Sequence, residues 1–469
     1  MAKGKKAVEE LSPEEKLEQS LIPVDEQPYS VPENWCWTTL GAYIGFATDY
    51  VANGSFASLK ANVQICKEEN YALMVKTADF ANGFSKSLTY TDKHGYDYLE
   101  KSVLHGGELI LSNIGSIGKV FRVPFLNRPM TLASNLIMIK CYNEQDYDWL
   151  YYFFLSPIGL EELLSITTGT AVLKFNKTDL KTIALPVPPL HEQRRIVDRI
   201  ESLFAKLDEA KEKAQAVVDS FELRKSAILH KAFTGELTER WRKEHGVGLD
   251  SWQKTNIGSI ADVKGGKRVP KGMSLTTDDT GHPYIKAGNL KLGTVLDEGI
   301  MFVPDDVLQY IKNYTVTAGD VYITNVGACI GDCGVIPDKY DGANLTENAV
   351  KITNLKCDGH FLSWYISSNE VQQRIKNLIA SATLGKLSIA NIKTMPVSLP
   401  TKEEQQEIVC ILKDLQSREQ QAKSAAESVF DQIDTIKKVI LARAFRGELG
   451  TNDPAEEWAG ELVTRIGDN

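Results

Sequence analysis

Two hydrophobic patterns alternate along this chain. In stretches of roughly 150 residues, short apolar runs are cut by Gly, Asn and Pro, as buried strands are. Leu109-Ile110-Leu111, Leu136-Ile137-Met138-Ile139 and Val321-Tyr322-Ile323-Thr324 are examples. Residues 149–164 and 361–379 carry apolar positions at helical spacing. The mixture predicts α+β globular domains. Each is followed by a longer segment with a different period. Ile196, Ile200, Leu203, Leu207, Ala210, Ala214, Val217 and Phe221 alternate by four and three, and Ile228 continues the register. Ile408, Leu412, Leu415, Ala422, Ala426, Val429, Ile433, Ile436 and Ile440 follow the same register, with a polar interruption at Glu419. A 3.5-residue repeat over about five heptads predicts a coiled coil.

The ends of these helices are marked. Pro186, Pro188 and Pro189 lead into the first, Pro396 and Pro400 into the second. Thr401 and Glu404 have capping-box spacing, and Glu192 places negative charge in a first turn. Gly235 and Gly447 stand where left-handed caps would end the helices.

The two halves are copies. Ala227-Ile-Leu-His-Lys-Ala-Phe-Thr-Gly-Glu-Leu237 returns as Val439-Ile-Leu-Ala-Arg-Ala-Phe-Arg-Gly-Glu-Leu449, about 212 residues on. Glu192-Gln193 with Ile196 matches Glu404-Gln405 with Ile408, Gly107 to Gly115 matches Gly319 to Gly327, and Trp35 matches Trp252. The expected architecture is α+β: two homologous globular domains separated by two long helices that form an antiparallel coiled coil, with pseudo-twofold symmetry. The divisions expected are an arm (1–30), a first domain (31–190), a first helix (191–245), a second domain (246–402) and a second helix with a tail (403–469). Helices of about 35 residues would span roughly 50 Å, against ~34 Å for one turn of DNA. The pattern suggests a ruler with a reading head at each end.

Composition narrows the class. The net charge of −9 rules out a uniformly basic protein but leaves room for a local cationic face. No apolar run reaches the ~18 residues of a membrane span. The charged start, with Lys3, Lys5, Lys6, Glu9 and Glu10, is neither a secretory nor a transit sequence. The seven cysteines are scattered; Cys329 and Cys333 do not have zinc spacing. Free buried thiols in a reducing cytoplasm are expected. The first 30 residues predict a short helix ending near Leu21 and a flexible arm.

The elements Gly107 to Gly115, Pro186-Val-Pro-Pro-Leu-His-Glu-Gln-Arg-Arg-Ile and Ala232-Phe-Thr-Gly-Glu-Leu-Thr, repeated in the second half, resemble the specificity subunit of type I restriction–modification enzymes. The resemblance covers about residues 30–450. It implies two target-recognition domains that each read one half of a split, asymmetric target in double-stranded DNA. It implies helices that dock two methyltransferase subunits, and two restriction/translocase subunits beyond them. S-adenosylmethionine, ATP and magnesium would then belong to those partners, with no cofactor, metal or catalytic residue in this chain. Leu399-Pro400-Thr401-Lys402 departs from the family by lacking the double proline of Pro188-Pro189.

Catalytic patterns are not evident. Pro188-Pro189 lacks the Asn/Asp and aromatic flanks of an amino-methyltransferase loop. Gly115-Ser-Ile-Gly-Lys119 is too short for a phosphate loop. Candidate DNA contacts are polar and cationic residues on loops. In the second domain these are Lys264, Lys267, Arg268 and Lys271, then Lys286 and Asn289, then Thr383 and Lys386. In the first they are Lys76 and Thr77, and Thr168, Thr170, Lys174 and Asn176. Asn53 with Lys60, and Lys86, are weaker candidates. Asn113 and Asn325 are expected to hold turn backbones. The competing readings are a coiled-coil scaffold joining two protein-binding heads, and an enzyme with an unrecognised site.

Overall fold

A computed structural model describes residues 13–380 and 385–467. The chain forms two compact units. One joins residues up to Glu212 with those from Val429 onward; the other is the continuous stretch Lys213–Ser428.

In the first unit a four-stranded antiparallel sheet has the spatial order Phe46–Asp49, Leu136–Lys140, Leu109–Ser112, Val120–Arg122. All four residues of Leu109–Ser112 are buried. An unbroken apolar run is what a strand covered on both faces requires. A second sheet pairs Ala72–Val75 in parallel with Met130–Leu132. A third pairs Cys36–Thr39 with Ala184–Val187.

The second unit repeats this plan. Its four-stranded sheet runs Asp262–Gly265, Ala349–Thr353, Val321–Thr324, Cys333–Val335. Pro283–Ile285 lies parallel to Asn344–Leu345, and Gln253–Asn256 pairs with Pro396–Leu399. The registers Leu109↔Ile139 and Val321↔Ile352 match, so the sequence repeat is a structural repeat.

The single helices expected over 149–164 and 361–379 are each two. Glu144–Leu155 and Pro157–Ser165 meet at Ser156, and Gly359–Ser367 and Asn369–Ala380 meet at Ser368. Ser156 is extended, and its hydroxyl accepts from Gly159 N at 3.0 Å. It therefore caps a new helix, with Pro157 in the first turn where no amide is needed.

The first long helix is also divided, into Leu190–Asp219 and Phe221–Thr234. Ser220 between them donates its hydroxyl back to Ala216 O (2.8 Å) and Val217 O (3.0 Å), a bond that competes with the helix ladder and bends it. The second, Lys402–Ala444, runs unbroken for 43 residues.

Inside each unit a stretch of one long helix lies antiparallel to a stretch of the other. In the first unit Ile196 and Ile200 share a core with Leu441 and Ala444, while Asp208 pairs with Lys437 at 2.6 Å. In the second, Phe221 lies under Lys423 (4.9 Å), Arg224 pairs with Glu419 (2.8 Å), and Leu229 packs with Leu412. The polar break at Glu419 is thus half of an ion pair. Ala210, Val217, Ala422 and Ile436, expected in the seam, are exposed. A helix of 3.6 residues per turn drifts away from a 3.5 repeat by about 20° per heptad. Lysine stems laid over Phe204 and Phe221 cover the gaps.

Each unit is closed by the same clasp. Trp35 Nε1 donates to Glu192 (2.8 Å), which also accepts from Thr451 (3.3 Å) and Asn452 (2.8 Å). Trp252 Nε1 donates to Glu404 (2.9 Å), which also accepts from Thr238 (2.7 Å) and Arg242 (2.6 Å). Thr401 does cap Glu404 N at 3.3 Å. The Glu404 carboxylate, however, makes this clasp and does not return to complete the capping box. Phe445 packs on Trp149 and Phe153, and Phe233 on Phe361 and Tyr365. Gly235 is left-handed at φ 85° and Gly447 at φ 72°. The Ala-Phe-x-Gly-Glu-Leu element closing each unit therefore comes from the other copy in the sequence.

The arm past residue 12 is anchored. Pro13–Ser20 is helical, Leu17 and Leu21 join the core of the first unit, and the Tyr29 hydroxyl donates to Phe445 O at 2.9 Å. All seven cysteines are free, but only Cys36 and Cys333 are buried, and Cys410 is exposed. Burial pushes both buried thiols up to about 12, which keeps them protonated and inert. No described helix is long and apolar enough to cross a membrane.

Candidate nucleic-acid interface

In the second unit the ends of five strands converge. Asp262–Gly265, Val321–Thr324, Pro283–Ile285 and Asn344–Leu345 finish where Ala349–Thr353 begins. Lys267 N donates to Leu345 O (2.8 Å), Thr346 N to Ile285 O (3.0 Å), Asn325 N to Asn348 O (3.0 Å) and Leu387 N to Asn325 O (3.0 Å). Gly266 is required here, because a Cβ would lie 2.1 Å from Thr346 O. These bonds bring Lys267, Arg268, Lys286 and Lys386 to one rim.

Lys264 is exposed on its strand, 3.5 Å from Asp262. Lys267 stands 5.5 Å from the centre of the Tyr314 ring. Arg268, 77% exposed, pairs with Glu347. Lys271 and Lys386 are exposed and have no partner among the described residues. Asn289 is a correction. It is only 3% exposed, its Oδ1 accepts from Lys286 N (3.1 Å), and its Nδ2 donates to Leu296 O and Glu298 O. All its hydrogen-bonding capacity shapes the turn that carries Lys286. Thr383 lies outside the described residues.

The first unit builds the same rim. Asn113 N donates to Asn135 O (3.2 Å), Ala133 N to Val75 O (3.0 Å) and Phe175 N to Asn113 O (3.1 Å). Lys76, Thr77, Thr168, Thr170 and Lys174 thereby come to the strand ends. Lys76 is partly committed, since its ammonium donates to Ser87 O (3.0 Å) and Thr89 Oγ1 (2.6 Å). Its backbone N donates to Asp79, the counterpart of Asn289. Burial pushes the Asp79 carboxyl up, and that bond draws it partly back. Asn176 is exposed but already engaged. Its Oδ1 accepts from Thr178 N and Asp179 N, and its Nδ2 donates to Asp179 Oδ2, so it is a helix N-cap. Asn53 is likewise held, by Tyr50, Lys101 and Ser102, while Lys60 and Lys86 are exposed.

Asn113 holds its turn as expected, with Nδ2 donating to Phe175 O at 3.1 Å. Among the described residues Asn325 makes no equivalent bond, and the buried Oδ1 atoms of both residues are unpartnered. Sequence reasoning missed Glu347, Asn348 and Asn135, which line the corner between two strands. Their matching positions in the two copies were the available signal.

The rims can bind a polyanion and present side chains to base edges. They also differ, since the second carries Lys267, Arg268, Lys286 and Lys386 where the first has Lys76 and Lys174 among threonines.

Comparison with known proteins agrees. The family model described as type I restriction modification DNA specificity domain matches residues 50–218 and again 250–427. The chain is 24% identical to the type I restriction enzyme EcoKI specificity subunit of Escherichia coli K12, over 66% of this chain and 67% of that one. It is 22% identical to the MjaVIII specificity subunit of Methanocaldococcus jannaschii, over 89% of this chain and 94% of that one. The fold resembles the HsdS subunit from Thermoanaerobacter tengcongensis, with TM-score 0.58 and 19% identity, covering 91% of this chain and all of that one. It also resembles a chain from a structural study of assembly and conformational transition in the type I R-M system, with TM-score 0.63 and 19% identity, covering 90% of this chain. With two tandem copies of the specificity domain on one duplicated scaffold, this chain belongs to the family of type I restriction–modification specificity subunits.

Proposed function

We propose that each unit reads one half of a bipartite, asymmetric DNA target, and that the chain docks methyltransferase subunits that modify it. One observation carries this reading: the same strand-end rim is built twice on the same backbone bonds, but with different side chains. Two similar frames with different readers suit two different half-sites. Phosphate contacts from lysine and arginine would fix the register, and loop side chains would distinguish bases.

The catalytic chemistry lies in partner chains on this reading. Methyl transfer from S-adenosylmethionine and ATP-driven steps with magnesium belong to methyltransferase and restriction/translocase subunits, in the cytoplasm. The exposed positions on both long helices are the surface for such partners. The test is to map methylated bases genome-wide in cells with and without this gene. A split motif that vanishes with the gene supports the reading. An unchanged methylome, with no sequence-selective DNA retention by the purified complex, rejects it in favour of a protein scaffold.

A further inference from the structure

Three exposed aliphatic residues lie on hydrogen-bonded neighbouring segments at the rim of the first unit. Val172 is 55% exposed and Leu173 40%, and Ile114 beside them is also exposed. They belong to the hairpin 168–174 and the neighbouring turn. Thr168 and Lys174 close the hairpin with a pair of backbone bonds, 2.8 and 2.9 Å, and Gly115 N ties the turn to Leu173 O at 2.9 Å. An exposed apolar cluster at a binding rim marks a contact surface.

The chemistry of the hairpin limits what it can recognise. From Gly169 to Leu173 its residues are Gly, Thr, Ala, Val and Leu. That segment offers one hydroxyl and otherwise only methyl and methylene groups, with no amide, guanidinium or carboxylate. Among base edges, the feature that aliphatic groups recognise is the C5-methyl of thymine, which lies in the major groove. That groove, ~12 Å wide, admits a two-stranded ribbon, and the thymine methyl is not presented in the minor groove. Lys174, exposed at the foot of the hairpin, is placed for a phosphate.

We infer that the first unit reads a T·A pair by packing Val172 and Leu173 against the thymine methyl in the major groove. This deepens the proposed function and rests on it. The second unit's rim, with its lysines and arginine, reads by hydrogen bonds and charge, so the two half-sites differ in how they are recognised as well as in sequence.

The experiment uses the full chain assembled with its methyltransferase subunits and bound to its mapped target. Each thymine of the read bases is replaced in turn by deoxyuridine, which removes only the methyl. At one thymine the unaltered complex is expected to lose about fourfold in affinity, the worth of one buried methyl. The V172A/L173A variant should bind the thymine target more weakly and no longer distinguish thymine from uracil at that position. Such non-additivity identifies a direct contact. Both residues are exposed, and co-purification with the subunits verifies that the variant is folded. If sequence-selective binding persists but no thymine shows the penalty, or the variant retains it, this inference falls and the proposed function stands. If the variant loses its subunits while keeping base discrimination, the cluster faces protein and the inference is overturned. A complex with no sequence-selective binding overturns both.

Discussion

Arg268 Nε lies 2.5 Å from Glu347 Oε1, so the most exposed guanidinium of the second rim already holds a carboxylate. Burial pushes the Glu347 carboxyl up, but the hydrogen bond and charge of Arg268, with help from Thr346, outweigh it and leave the group below its ordinary value. On the proposed function, DNA phosphate would have to compete with Glu347 for Arg268. Glu347→Gln is expected to tighten DNA binding about two- to fivefold near neutral pH, the range for an exposed pair. The sign with pH follows from proton counting. A depressed carboxyl binds fewer protons in the folded state, so the pair persists above the ordinary value and is lost as pH falls through the folded one. The advantage of the glutamine variant should therefore persist through the neutral range and shrink only in acid, below the ordinary carboxylate range. Fluorescence-anisotropy titrations across pH would show it. Weaker binding by the variant would instead make Glu347 a reader of a cytosine amino group.

Lys267→Ala with Arg268→Ala removes two cations from the same rim. Affinity should fall, and the slope of log affinity against log salt should become shallower by about two. Co-purification with methyltransferase subunits should be unaffected. An unchanged salt slope would place DNA elsewhere on this unit.

Glu404 is fully buried, and its charge partner Arg242 is nearly so. Arg242→Ala leaves the carboxylate without its cation and should cost about 3–5 kcal/mol in the second unit. Arg242→Met combined with Glu404→Gln should recover most of that loss, because no isolated charge remains. Urea unfolding followed by tryptophan fluorescence would compare the two.

Phe445 is fully buried against Trp149 and Phe153, whereas Phe233 in the matching place is only partly buried. Phe445→Ala is expected to cost about 3–5 kcal/mol, and Phe233→Ala less. Hydrogen exchange would place the first loss in the strands of the first unit and the second in those of the other. Equal effects would mean that the clasps are matched in energy as well as in form.

Much of this was readable from residue spacing. The duplicated motifs located both copies, and the strands around Leu109, Leu136 and Val321 formed where continuous apolar runs had placed them. The breaks at Ser156, Ser220 and Ser368 were harder, because a single serine hardly disturbs an apolar period; at Ser156 and Ser220 the hydroxyl bonds the backbone. The rim was legible by neighbourhood rather than by residue. Lys267, Arg268, Lys286 and Lys386 do share an edge, but Asn289 and Asn176 have the right chemistry and spend it on their own turns. Asn176 stands three residues before Asp179, a capping signature overshadowed by its suitability as a reader. Nothing in the sequence marks Glu347, because a carboxylate is not the residue type that a surface for a polyanion calls for.

The exchange of closing elements between the copies has a consequence for how the protein is made. The second unit is one uninterrupted stretch, complete once Ser428 has been synthesised. The first needs Phe445 to cover Trp149, and those residues are 296 positions apart. At roughly 5–20 residues per second, the aromatic face waits about 15–60 s for its lid. The half translated first is thus the last to mature, and nascent chains of this protein should engage chaperones through the surface around Trp149 until the final helix arrives.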